Sequence, residues 1–230
     1  VDNWGLERDV TEDDDVDGGF GFDDVCQVTD EMEGLHNDDE LTHALRRQET
    51  LEGYREQVAR EAGRCGTFDM PEEHYADAFI AAQARAWLDE HATAGRPWYL
   101  NVGFVGPHPP YWHPGACDIP PDRVPLPVVG AEDAPALRQR RCHYLQKCIL
   151  LDRYVGGMLE MLDQRGALAE TLVVFTSDHG DMLGDFGIWD KRWFYEQSAG
   201  VPLILAGPGV PRQTRREGPR VRPDLVSLLD

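Results

Sequence analysis

An aspartate and a histidine stand side by side where an apolar run ends. Leu172, Val173, Val174 and Phe175 lead through Thr176 and Ser177 to Asp178, His179 and Gly180. A carboxylate offers a hard anionic oxygen and an imidazole a neutral nitrogen, so the pair can hold a divalent cation. Lys191, later in the same stretch, can return a positive charge to the same mouth. A second histidine, His108, lies among Pro107, Pro109 and Pro110, just after another apolar run. The prolines fix φ and remove backbone donors, so His108 is held on a stiff loop. A histidine of this kind can hand a proton to a leaving alkoxide. Together these residues read as a metal-assisted site for an anionic ester. Each also has a plainer reading: Asp178 can cap a turn, His179 and His108 can be loop histidines, and Lys191 can be solvated surface charge.

The elements that must position these side chains follow from periodicity. The β-branched run from Leu172 to Phe175 predicts a strand buried on both faces of a parallel sheet, with Asp178 and His179 beyond its carboxyl end, where ligands of open α/β sheets sit. Trp98 to Phe104 predicts a second strand, and Val201 to Ala206 a third, ended by Gly207, Pro208 and Gly209. Leu41 to Ala62 predicts a charged helix weakened at Gly53 and closed by Gly63. Pro71, Glu72 and Glu73 open another, with an inner stripe of Tyr75, Phe79, Ala82, Ala86 and Trp87, ended by Gly95. A long helix runs from about Ala136 to Gln164 with Leu137, Tyr144, Cys148, Leu151, Val155, Met158 and Leu162 along one side, and Gly166 terminates it. Helices alternating with apolar strands predict the α/β class: a mostly parallel sheet with helices on both faces.

Two segments carry a resemblance. Residues 176–191, TSDHGDMLGDFGIWDK, with 194–209, FYEQSAGVPLILAGPG, resemble the second signature region of the sulfatase family, within the alkaline-phosphatase-like superfamily. Residues 96–111, RPWYLNVGFVGPHPPY, resemble the family's strand and Pro-His-x-Pro-aromatic turn, whose histidine faces the sulfate ester. The resemblance implies a three-layer α/β/α sandwich, incomplete at both ends, in which residues 1–230 form one partial catalytic domain. Residues 1–39 would be its acidic loop region, and 40–230 its helices and core strands. It implies hydrolysis of a small-molecule or carbohydrate sulfate ester, with Asp178 and His179 as metal ligands, His108 as general acid or sulfate ligand, and Lys191 on the sulfuryl oxygens. The implied metal is Ca2+, with Mn2+ or Zn2+ in phosphonate-hydrolysing relatives.

The family's nucleophile motif, Cys/Ser-x-Pro-Ser-Arg, whose first residue becomes formylglycine, does not occur here, nor does the family's early aspartate pair. The expectation is an internal piece of a longer protein, with formylglycine in the missing N-terminal part. Two other functions stay open: a phosphonate monoester or phosphodiester hydrolase on the same scaffold, and a non-catalytic fragment that only binds anions. Two positions depart from the family pattern. Phe186 stands where many relatives have His, and Asp190 where the residue is often small.

Composition narrows the partners. The formal net charge of −20 makes nucleic acid a poor partner, because phosphate binding needs clustered Lys and Arg. No run of about 18 apolar residues exists, so no transmembrane helix is predicted. The five cysteines show no CxxC or metal-ribbon spacing. Asp13, Asp15, Asp17, Gly18, Phe20 and Asp24 approximate a calcium loop, but position twelve is Asp rather than Glu. Residues 19–23, Gly-Phe-Gly-Phe-Asp, resemble instead a structural turn of the family.

Overall fold

A computed structural model describes residues 22–61, 65–93, 95–127 and 135–211. The start of the calcium-loop pattern, Gly63 and the last residues from 212 lie outside them. The chain divides into two compact units, residues 1–126 with 133–161, and 127–132 with 162–230.

The first unit is built on helices. Helix α1 (Glu40–Arg47) starts at Asp39, which accepts from the Thr42 amide at 2.7 Å while the Thr42 hydroxyl accepts from the Asp39 amide at 2.6 Å. This reciprocal cap satisfies donors that a helix start leaves open. Helix α2 (Leu51–Glu61) follows after a break. The expected single helix is therefore two. The break falls at Gln48–Thr50, where Glu49 takes φ 60, and not at Gly53. The turn lets Leu45 and Leu51 both reach the core, which outweighs the continuity that propensity alone favours. That core comprises Leu41, Leu45, Leu51, Tyr54, Val58, Phe68, Tyr75, Ala76 and Trp112.

Strand β1 (Gly66–Phe68) pairs in parallel with β2 (Trp112–Pro114), Gly66 opposite Trp112. Between them a 3-10 turn at Glu72–His74 leads into helix α3 (Ala76–His91). Its buried residues are Ala76, Asp77, Ala81, Ala84 and Leu88, so the inner face is turned from the expected stripe, and Ala82 and Ala86 are exposed. The helix ends before Gly95. Trp98 to Phe104, expected as a strand, run without a ladder among the described residues. A strand needs a neighbour for its N–H and C=O groups, and apolar content alone does not supply one. Helix α4 (Pro135–Gln164) matches its expected span, and Gly166 follows at φ 69. Its buried positions include Cys142, His143, Gln146, Lys147, Leu150 and Tyr154, so polar groups occupy the inner face where Tyr144, Cys148 and Leu151 were expected.

In the second unit, β3 (Val173–Thr176) pairs antiparallel with β4 (Leu203–Ala206), Val173 opposite Ala206. A short helix α5 (Glu196–Ala199) lies between them in sequence. The β3 run is not buried on both faces as its composition suggested: Val174, Phe175, Leu203, Ile204 and Leu205 are 40–57% exposed. Hydrophobic content favours burial without providing the covering layer. No helix among the described residues is long and apolar enough to cross a membrane.

Candidate active site

The turn after β3 is held by its own polar atoms. The Asp178 carboxylate accepts from the His179 amide at 2.9 Å through Oδ1, and its Oδ2 lies 3.5 Å from His179 Nε2. The other ring nitrogen, Nδ1, pairs with the Gly180 carbonyl at 2.7 Å. A carbonyl on Nδ1 orients an imidazole and favours the tautomer whose Nε2 carries the lone pair, as the outer contacts of metal-ligating histidines do. The Asp178 side chain is 84% exposed and that of His179 29%, so a cation can reach both. The donor set, one hard oxygen beside one borderline nitrogen, fits a divalent cation.

Gly180 is required by close approach. Its amide donates to Ser198 O at 2.7 Å, and a Cβ there would lie 2.2 Å from the Gln197 carbonyl oxygen. The chain after it folds back on itself. Met182 donates its amide to Asp190 O at 3.1 Å, and Asp181 Oδ1 accepts from the amides of Leu183 at 2.8 Å and Asp190 at 3.2 Å. Met182 itself is fully buried. Asp190 takes φ 74, a left-handed conformation that Asp tolerates better than most residues, and its carboxylate accepts from the Lys191 amide at 2.8 Å. The Lys191 carbonyl accepts from Ser198 Oγ at 3.0 Å. Lys191 is thus anchored by its backbone to the same folded turn as Asp178 and His179, with its side chain exposed. Phe186, the other departure from the family pattern, stacks on Tyr195 with ring centroids 4.5 Å apart.

His108 belongs to the first unit and has its own support. Its Nδ1 pairs with the Pro109 carbonyl at 2.7 Å, the same next-residue contact that His179 makes. Below the loop lies Lys147, 1% exposed, whose Nζ donates to His108 O at 2.9 Å and Pro110 O at 3.1 Å. Buried Asp77 accepts from the Gly106 amide at 3.0 Å, and a Cβ on Gly106 would come within 2.5 Å of its Oδ2. Glu31, also buried, meets no donor from another of the described residues. Burial pushes its carboxyl above the usual range, with Lys147 partly offsetting.

Sequence reasoning did not single out Lys147, Asp77 or Glu31. A lysine inside a helical stripe reads as surface charge, and only contacts 37 and 39 residues apart reveal its role. Nor did it single out His113. His113 is fully buried on β2, with Nε2 2.8 Å from Nδ1 of His143, and Cys117 lies beside them. All five cysteines are free thiols.

Comparison with known proteins decides the family. The model of the family described as Sulfatase matches residues 4–230, nearly the whole chain. The chain belongs to the sulfatase family. It is 37% identical to the choline-sulfatase of Rhizobium meliloti over 58% of this chain and 31% of that protein. It is 30% identical to human iduronate 2-sulfatase over 68% of this chain and 35% of that protein. The chain therefore spans about a third of the length of these relatives. Among solved structures, the phosphonate monoester hydrolase of Silicibacter pomeroyi matches with a TM-score of 0.55 and 26% identity, over 61% of this chain and 34% of that one. The corresponding enzyme of Agrobacterium radiobacter matches with a TM-score of 0.62 and 23% identity, over 74% of this chain and 42% of that one, a likeness of fold. The sulfatase chain thus has the α/β, alkaline-phosphatase-like fold that its signature segments implied.

Proposed function

We propose that this chain supplies part of the active site of a metal-dependent hydrolase of sulfate monoesters. The observation that carries the reading is the Asp178–His179 pair, an exposed carboxylate 3.5 Å from an imidazole whose other nitrogen is pinned to the Gly180 carbonyl, within a sulfatase-family chain. Asp178 and His179 would hold the cation, Ca2+ in the first instance and Mn2+ or Zn2+ in phosphonate-hydrolysing relatives. The bound cation would neutralise the ester oxygens, which otherwise repel a nucleophile. Lys191 would bind the sulfuryl oxygens as their charge grows, and His108 would give its proton to the departing alkoxide. The nucleophile, a hydrated formylglycine in this reading, would come from outside these 230 residues. The ester would be a small-molecule or carbohydrate sulfate, the classes named by the choline-sulfatase and the N-acetylglucosamine-6-O-sulfatase among the relatives.

A phosphonate monoester hydrolase is the second reading, because two of the matching folds are enzymes of that name. Turnover of an aryl sulfate and of a phenyl phosphonate, measured side by side on the full-length protein, separates them. Sulfate preference is the expected result; a kcat/KM that favours the phosphonate overturns the sulfatase reading.

A further inference from the structure

Outside the residues already assigned, one group of side chains in the first unit has the chemistry and spacing of a metal site. His113 Nε2 and His143 Nδ1 are 2.8 Å apart, and the donor atoms of His113, Cys117 and His143 all lie within 4.8 Å of one another. His113 and His143 are buried and Cys117 is half-buried, so the cluster is shielded on one side and reachable on the other. His113 Nδ1 faces the Pro114 carbonyl at 3.4 Å, which places a carbonyl behind the ring whose other nitrogen points at the cluster. Ligating histidines carry such a partner. The thiol of Cys142, next to His143 on α4, interacts with that of Cys117.

We propose that His113, Cys117 and His143 form a binding site for Zn2+. Two imidazole nitrogens and a thiolate match the donors zinc prefers, and the set lacks the carboxylates that a calcium site would need. A tetrahedral ion with Zn–N near 2.0–2.1 Å sets the two nitrogens about 3.3 Å apart, so the histidine pair opens by about 0.5 Å to admit it. The fourth position falls to water or to the Cys142 thiol, which lies beside that of Cys117. Bound there, the ion ties the segment that follows the His108 loop to α4 and stabilises the unit by mass action.

The site can be read separately from the Asp178 and His179 pair because only it contains sulfur. The reduced, metal-stripped protein is titrated with Co2+, followed by thiolate-to-cobalt charge-transfer absorption, and then with Zn2+, followed by displacement of that band and by thermal shift. The expected result is one equivalent of thiolate-bound Co2+, displaced by Zn2+, with a raised unfolding midpoint. Cys117→Ser should weaken it by about 100-fold or more, as should His143→Gln, while Asp178→Ala leaves the band intact. Absence of the band in the folded, reduced chain overturns the proposal. So does a band of undiminished intensity and affinity in Cys117→Ser, or a purified protein whose mass shows Cys117 and Cys142 joined as a disulfide. Cys117 is only half-buried, so its serine variant remains an informative test if His143→Gln does not fold.

Discussion

His108 and His179 use one local device in two settings. Each pairs Nδ1 with the carbonyl of the next residue at 2.7 Å, which fixes the ring without help from distant chain. Beneath His108 the support is buried charge: Lys147 donates to two loop carbonyls, and Asp77 takes the Gly106 amide. Around His179 the support is backbone and short polar turns, with Asp181, Asp190 and Ser198 folding the segment back on itself. The difference teaches that ring orientation is a local property, whereas the position of the loop carrying it is set by whatever satisfies that loop's carbonyls. A loop braced by buried charge should fail by unfolding, and one braced by surface turns should fail by losing function while folded.

The sharpest break is at the exposed end. In the full-length protein, Asp178→Ala is expected to abolish the proposed activity and to lower bound metal together, as elemental analysis would show; unchanged metal content would remove Asp178 from the ligands. Next come the two lysines, whose effects should be opposite in kind. Lys191→Ala should reduce kcat by roughly 10²–10³-fold or more, with stability within about 0.5 kcal/mol of the parent. Lys147→Met strips donors from His108 and Pro110 and a cation from the vicinity of Glu31, so urea unfolding should show a loss of roughly 3–5 kcal/mol. Equal stability of the two variants would end the distinction between the loops.

The glycines give a smaller contrast. Alanine at Gly180 meets the Gln197 backbone oxygen, whereas alanine at Gly106 meets the end of the Asp77 side chain. Gly180→Ala should cost about 1–3 kcal/mol, and Gly106→Ala less, by denaturant titration. The smallest effect is a pH dependence. Glu31 has its folded pKa raised by burial, so its contribution is fully present below the unfolded carboxyl value of 4.5 and is lost as pH rises through the folded one. Glu31→Gln should therefore raise the unfolding midpoint near pH 8, by roughly 2–4 °C per kcal/mol relieved, and should have no such benefit below pH 4.5. A constant difference across that range would mean that Glu31 does not titrate with folding.

Much of the second unit could be read from the linear order. Strand β4 falls inside the run that predicted it and β3 overlaps its run, ending one residue later; α4, most of which belongs to the first unit, likewise begins and ends close to its expected limits, because a strand or helix pattern repeats within a few residues. The α1–α2 break and the turned inner face of α3 could not be read, because each depends on which side chains reach a core assembled from distant segments.

By itself the sequence determined the chemistry available: a carboxylate beside an imidazole after an apolar run, a histidine held among prolines, and ordered segments long enough to place the chain among sulfatases. These signals survive in one dimension because neighbouring residues carry them. Tertiary structure alone decided that Lys147 lies under the His108 loop and that His113, Cys117 and His143 share one site. Such groups meet only when segments far apart in the chain are packed together, His113 with His143 across 30 residues and Lys147 with the His108 loop across 37 and 39, and packing answers to the burial and hydrogen bonding of the whole unit.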